Sequence, residues 1–213
     1  MEYLGYTKES FADFIIFMMN VADNIIKGMN IPYDFTYKGN RLRVQKNIFM
    51  SPQYSLFYNE NIKESQYNES WNTEYHFINL DNHLEIKIGG NQEHGLVNYI
   101  KWIGFCEGGH PSNLYRVDPY ILLGVLKGYI ELKTITIFKE REEYQINKQK
   151  EELNEYKKMK NEIEKSKLST ESSNKKNQEE LKIIENQIES LQNIISLKQD
   201  EMNKIITNLK NKI

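Results

Sequence analysis

The chain has only one cysteine, Cys106, among its 213 residues. A single thiol cannot form an intramolecular disulfide, which excludes a disulfide-stabilised scaffold and favours a reducing, intracellular setting. The opening residues MEYLGYTKES also lack the cationic segment and apolar core of a secretory signal. The most apolar stretch, FADFIIFMMNVADNII, is interrupted by Asp13, Asn20 and Asp23. It falls short of the roughly 20 apolar residues that cross a bilayer, so we expect no membrane contact.

Proline and glycine are missing from the last third of the chain. All four prolines and all eleven glycines precede Phe138, and only Tyr144 and Tyr156 are aromatic beyond it. Turn-forming residues therefore belong to the first part alone, and the second part has the composition of a helical extension. We predict an α+β recognition domain over 1–138 and a coiled coil over 139–213, with a break near 166–177.

Neither part carries a large excess of basic residues. Lysine and arginine number 12 up to Phe138, against 15 acidic residues, and 16 against 15 beyond it. The isoelectric point is about 6.2. Proteins that bind nucleic acid non-specifically usually have a basic face or a high isoelectric point. Any DNA contact must therefore come from a local patch.

Two alternating segments predict β-hairpins. In IPYDFTYKGNRLRV, the runs FTY and RLRV flank Gly39-Asn40, and both residues tolerate the positive φ of a tight hairpin turn. In YHFINLDNHLEIKI, a second hairpin is centred on Asp81-Asn82. These segments predict a small antiparallel sheet.

Helical segments surround the hairpins. Apolar residues recur at helical spacing after Ser10, the expected N-cap of the first helix. SPQYSLFY and GLVNYIKWIGF are predicted to be short helices. Asp118 and Pro119 predict a helix that continues through YILLGVLKGYIEL, because Asp caps well and proline suits the first helical position. The fold class expected is thus α+β, with two β-hairpins and three to four helices, followed by a long C-terminal α-helical coiled coil or a helical hairpin.

One heptad frame fits the chain beyond Phe138. From Leu181 to Leu209 its apolar seam is broken only by Lys198, over about four heptads, as expected of a coiled coil. The polar run KSKLSTESSNKKN allows two forms, one long helix or two helices folded into an antiparallel hairpin. In either form the seam must be covered, which predicts self-association. The predicted oligomerisation residues are Leu181, Ile184, Ile188, Leu191, Ile195, Met202, Ile205 and Leu209.

Four cations lie within nine residues of the first hairpin. Lys38, Arg41, Arg43 and Lys46 are the candidate nucleic-acid-binding residues, and we call them the basic cluster. Side chains alternate along a strand, so Arg41 and Arg43 share a face that could contact phosphates or enter a groove. The alternative is the polar face of an edge strand, on which cations discourage aggregation.

Signals for catalysis or metal binding are sparse. Cys106 and His110 have a spacing that a metal site can use, and His94 could join them, but structural zinc usually takes four Cys or His ligands in paired motifs. The glycines form neither a dinucleotide-binding nor a P-loop pattern. We therefore predict no enzyme, no cofactor, no metal and no small-molecule substrate, with Cys106 and His110 as the residues of an alternative zinc or enzyme function.

Several of these features together resemble the KilA-N family. They are the strand YKGNRLR, an aromatic-rich middle containing Trp71, a strand ending in Gly89-Gly90, and the helix start at Asp118-Pro119. The resemblance covers roughly residues 35–132. It implies a small viral or phage DNA-binding domain in which a hairpin and an adjacent helix present Arg41, Arg43 and Lys46 to duplex DNA.

The sequence as a whole therefore predicts a non-enzymatic DNA-binding or regulatory protein, viral or phage by resemblance, oligomerised through its C-terminal coiled coil. It would act inside a cell or an infected host cell. The alternative is a scaffolding module that binds proteins and no nucleic acid.

Overall fold

The structure, a computed structural model, describes residues 4–28, 30–49, 72–89, 97, 100–101, 117–166 and 174–213. The chain divides into two compact units. One comprises Met1–Ile137 with Lys212–Ile213, and the other comprises Phe138–Asn211. We call them the α+β unit and the hairpin unit. Within the described ranges, no helix is both long enough and apolar enough to cross a membrane.

A four-stranded antiparallel sheet forms the centre of the α+β unit. The strands are β1 Tyr33–Tyr37, β2 Asn40–Phe49, β3 Asn72–Asn79 and β4 Glu85–Gly89, and they lie in the order β1-β2-β3-β4. Both predicted hairpins are present, as β1–β2 and β3–β4. Eight residue pairs between β2 and β3, which the sequence did not predict, join them into one sheet.

The turn of the first hairpin lies one residue earlier than predicted. Tyr37 pairs with Asn40, so the turn residues are Lys38 and Gly39, at φ values of 47° and 82°. Two successive positive φ values are typical of the mirror-image turn that matches strand twist. Asn40 instead joins the strand, and Lys38 takes a left-handed conformation that costs a residue with a Cβ roughly 1–2 kcal/mol.

The first helix, α1, spans Lys8–Ile25 and begins earlier than predicted. Its N-cap is Thr7, and Ser10 is the third helical residue. The Ser10 amide donates to Thr7 Oγ1 at 3.1 Å, and the Thr7 amide donates to Ser10 Oγ at 2.9 Å. This reciprocal capping box satisfies two amides, whereas a cap at Ser10 alone would satisfy one. The buried face of α1 includes Phe11, Ile15 and Met18.

The predicted short helix SPQYSLFY lies outside the described residues, as does most of GLVNYIKWIGF. The predicted start of α2 (Pro119–Lys127), the next helix whose bounds the structure gives, is confirmed. Asp118 is its N-cap, and its Oδ1 accepts from the Tyr120 amide at 2.9 Å. Its predicted continuation through YIEL is wrong, because Gly128 ends the helix in a left-handed conformation with φ 66°. A Cβ on Gly124 would lie 2.7 Å from Leu84 Cδ1, so this glycine lets the helix approach the sheet closely.

Two buried asparagines, one at the end of β3 and one in the β3–β4 connection, cap the end of α2. Asn79 Nδ2 donates to the Val125 carbonyl and Asn82 Nδ2 donates to the Gly124 carbonyl, each at 2.8 Å. The last carbonyls of a helix have no partner within it, so these bonds satisfy groups that would otherwise be buried and unpaired. The connection and α2 are thereby fixed on one face of the sheet.

The remaining helices are α3 (Leu132–Ser166) and α4 (Asn174–Lys210). Lys160 Nζ lies 2.8 Å from Glu185 Oε1. In one continuous helix these residues would be about 37 Å apart along the axis. The chain therefore reverses between α3 and α4, and the hairpin unit is a pair of helices. A single long coiled-coil helix is not confirmed.

Candidate interaction surfaces

The two arginines of the basic cluster lie on the sheet face opposite buried Leu42 and Val44. Arg43 pairs in register with Asp34, donating to its two carboxylate oxygens from Nε at 2.7 Å and Nη2 at 2.9 Å. This bond keeps the pKa of Asp34 below its usual value and raises the pKa of Arg43. The pair compensates the charge at this position and uses two of the five N–H donors of the guanidinium, which weakens its attraction for a phosphate.

Arg41 is held by a carboxylate from the other hairpin. Its backbone amide donates to Asp81 Oδ2 and its Nε donates to Asp81 Oδ1, both at 2.8 Å. Both bonds lower the pKa of Asp81, and the bond from the Arg41 amide has the larger effect. Arg41 thus links the two hairpins, a structural role that explains a cation at this strand position without any ligand.

Lys46 points to the opposite face, towards α1. Its Nζ lies 2.6 Å from Asp23 Oδ1, and it stands 5.2 Å above the centre of the Tyr75 ring. The Tyr75 hydroxyl donates to the same carboxylate at 2.9 Å. The pKa of Tyr75 is raised mainly by burial and, to a smaller extent, by the Asp23 carboxylate. These three side chains tie α1 to the sheet.

The basic cluster is therefore not one surface. Lys46 lies on the α1 side of the sheet, whereas Arg41 and Arg43 lie on the other side and have carboxylate partners. Lys38 differs from all three. In the part of the chain that the structure describes it has no carboxylate partner, and its Nζ lies 5.7 Å from the centre of the Tyr37 ring. The sequence signal, a density of positive charge, could not show where the partners would come from.

Two of the four histidines, His76 and His83, are described. His76 Nε2 lies 2.8 Å from Glu85 Oε2 across β3–β4, and His83 sits in the turn between these strands. Among the described residues no three His, Cys, Asp or Glu side chains are grouped as a metal ion requires. Cys106, His94 and His110 lie outside the described residues.

The predicted oligomerisation residues are covered to different extents within this one chain. Those at the first heptad position are mostly buried, and those at the other apolar position are half-buried. The buried residues are Leu181, Ile195, Met202 and Leu209, and the half-buried residues are Ile184, Ile188, Leu191 and Ile205. Because a single chain is present, α3 can cover this seam without a second copy. Self-association through the seam itself stays a prediction.

A second apolar surface of α4 is open, and the sequence reasoning missed it. Ile183, Ile194 and Leu197 are 58%, 38% and 69% exposed. We call them the exposed α4 stripe. At 100° per residue they lie about 100° around the helix from the buried seam. At these three points the apolar surface of α4 extends beyond the seam that one neighbouring helix covers. Polar residues occupy the same two heptad positions elsewhere on the helix, among them Gln187, Ser190, Glu201 and Lys204.

The same side of the hairpin contains an apolar cleft. It has a volume of about 530 Å³ and is lined by Met159, Glu162 and Ile163 of α3 and by Glu180, Ile183 and Ile184 of α4. Met159 is 40% exposed. Ile183 belongs both to the cleft and to the exposed α4 stripe. Ile194 and Leu197 follow it about 16 and 21 Å further along the helix axis.

No family model, no curated protein and no solved structure matches this chain. The KilA-N resemblance therefore stays a prediction based on the sequence.

Proposed function

We propose that this chain is a non-enzymatic interaction protein whose hairpin unit associates with a second copy of itself. The observation that carries the proposal is the exposed α4 stripe beside the apolar cleft. Large exposed apolar patches on otherwise polar surfaces usually mark sites of association. Two hairpins placed face to face would bury these surfaces in a four-helix bundle, in which each helix contacts two neighbours.

The partner that best fits the exposed α4 stripe and the apolar cleft is another copy of this chain. A helix that packs against one neighbour needs an apolar band about 100° wide, and a helix in a four-helix bundle needs a wider one. α4 has the wider band, and Met159 of α3 extends it on the same side of the hairpin. A hairpin with this layout on both helices is complementary to its own copy.

Sedimentation of the full chain tests this proposal. We expect a concentration-dependent dimer, and we expect Leu197→Glu to shift it to monomer with unchanged helical content, because a carboxylate would be buried without a partner. Ser196→Glu, on an exposed neighbouring position outside the stripe, is the matched control and should remain dimeric. A wild-type chain that stays monomeric to about 100 µM, far above typical dissociation constants of stable dimers, would contradict it.

Duplex-DNA binding through the basic cluster is a second candidate. Lys38, which has no carboxylate partner among the described residues, is the observation that favours it. Against it, three of the four cations have internal carboxylate partners, and each neutralised cation removes one potential phosphate contact. The dimer would offset weak contacts by holding two copies of the cluster on one duplex.

A further inference from the structure

A second cleft lies in the α+β unit, between the turn of the first hairpin and the end of α2. Its volume is about 590 Å³, which falls within the range of small-ligand sites. Lys38 lines it from the hairpin turn, and Lys127, Gly128 and Tyr129 line it from the end of α2. Tyr6 completes the wall between them. The cleft therefore brings together two lysines that are 89 positions apart in the sequence.

Lys127 is a half-buried cation among aromatic rings. Its Nζ donates to the Tyr6 hydroxyl and lies 4.7 Å from the centre of the Tyr6 ring and 4.5 Å from that of Phe14. No described carboxylate pairs with it. A lysine in the last turn of a helix complements the helix dipole, which explains the charge at this position. It does not explain why a second lysine without a described carboxylate partner lines the same cleft.

Lys38 reaches the cleft at a conformational cost. It is a residue with a side chain in the left-handed region, at a turn position where asparagine or glycine is preferred. Its neighbours in the basic cluster have carboxylate partners, and Lys38 has none among the described residues. Strained backbone conformations are common at binding sites, so the conformation of Lys38 supports a role in binding.

The two walls of the cleft are fixed against each other. Gly128 has a left-handed backbone conformation, and a Cβ added to it would overlap Asn40 Oδ1. Asn40 directly follows the Lys38-Gly39 turn. The hairpin turn is therefore packed against the end of α2, and this contact holds the backbones of Lys38 and Lys127 in place relative to each other. Such preorganisation lowers the cost of binding.

We infer that this cleft binds a nucleotide, in which a phosphate group is joined through a sugar to a planar base. Two ammonium groups without carboxylate partners supply the charge, and the Tyr6 hydroxyl supplies a further polar contact. Tyr129 is 48% exposed and offers its ring to a planar group. The same chemistry occurs in a free nucleotide and in single-stranded nucleic acid. The site is separate from the hairpin-unit surface and does not depend on self-association.

Isothermal titration of the full chain at low salt tests the inference with three probes: inorganic phosphate, adenosine monophosphate and a twelve-nucleotide single-stranded oligodeoxynucleotide. We expect adenosine monophosphate to bind more tightly than phosphate. Tighter binding of the oligonucleotide than of the mononucleotide assigns the site to nucleic acid, and the reverse assigns it to a free nucleotide. No binding of any probe at about 10 mM, beyond the weakest affinities of interest, would overturn the inference.

Variants separate this site from general attraction to positive charge. Lys38→Gln and Lys127→Gln should each weaken binding about tenfold, as expected for one charge-assisted contact. Lys133→Gln is the matched control, because Lys133 stands over the Tyr120 ring and does not line the cleft. An equal loss with Lys133→Gln would refute the site. Lys38→Asn should weaken binding and raise the melting temperature, since asparagine tolerates the left-handed turn position.

Discussion

Asp34 and Arg43 occupy paired positions on β1 and β2, and two hydrogen bonds of 2.7 and 2.9 Å join their side chains. The arginine was a predicted phosphate ligand, but two of its N–H donors are already bonded to a carboxylate. Arg41 is held in a comparable way by Asp81. The carboxylates therefore decide how much of the basic cluster is available to an anionic partner.

Removing these carboxylates should increase binding to duplex DNA. Asp34→Asn combined with Asp81→Asn frees two guanidinium groups, so we expect stronger binding than wild type and a steeper decrease with salt. Fluorescence anisotropy at two salt concentrations measures both. The control is Glu151→Gln with Glu155→Gln, two exposed positions on α3 that change the net charge equally. Equal effects of the two pairs would show that only net charge matters.

Acid should weaken the link between Asp81 and Arg41. Hydrogen bonds from the Arg41 amide and guanidinium lower the pKa of Asp81 in the folded state. A lowered pKa adds stability above the unfolded value of about 4, and this contribution is lost as the pH falls through the lower folded value. Urea midpoints of wild type and Asp81→Asn should therefore differ at pH 7 and converge towards pH 2. A constant difference across this range would contradict the assignment.

Asn79→Asp should destabilise the α+β unit in a pH-dependent manner. The change places a carboxylate oxygen where Nδ2 now donates to the Val125 carbonyl, and we expect a loss of about 2–4 kcal/mol at pH 7. Burial beside a carbonyl raises the pKa of the new carboxyl. The penalty is thus full above that raised pKa and decreases as the pH falls towards 4, where the protonated acid can donate. Denaturation of Asn79→Ala, which cannot titrate, gives the pH-independent reference.

Gly128→Ala should destabilise the contact between the first hairpin and α2. The added Cβ incurs the left-handed cost of roughly 1–2 kcal/mol and also overlaps Asn40. Gly39→Ala incurs only the first cost, because nothing lies within 4 Å of its Cβ position. The melting temperature of Gly128→Ala should therefore be lower than that of Gly39→Ala. Adding Asn40→Ala to Gly128→Ala should recover the difference, and no recovery would show that the overlap is not its cause.

Local signals in the sequence predicted the elements whose determinants are close together in the chain. Asp118-Pro119 marked the start of α2, and the alternating residues around Asp81-Asn82 marked the second hairpin. The first turn was misplaced by one residue because Gly39-Asn40 and Lys38-Gly39 both fit a tight turn. The structure places Asn40 in β2, where its side chain lies against Gly128.

The electrostatic partners could not be predicted, because they lie far away in the chain. Asp34 is 9 residues from Arg43, but Asp23 is 23 residues from Lys46 and Asp81 is 40 residues from Arg41. A cluster of cations in the sequence says nothing about carboxylates that folding brings to it. The exposed α4 stripe was missed for a different reason, since a single heptad frame assigns one seam to a helix that has a wider apolar band.

The hydrogen bond from Lys127 to Tyr6 joins residues 121 positions apart. During synthesis, almost the whole α+β unit must therefore leave the ribosome before Tyr6, which precedes α1, can form this contact. At the usual 5–20 residues per second, the wait is on the order of ten seconds. Lys160, by contrast, meets Glu185 after only a short further stretch of chain. The hairpin unit, although made last, can complete its internal contacts almost as soon as it emerges.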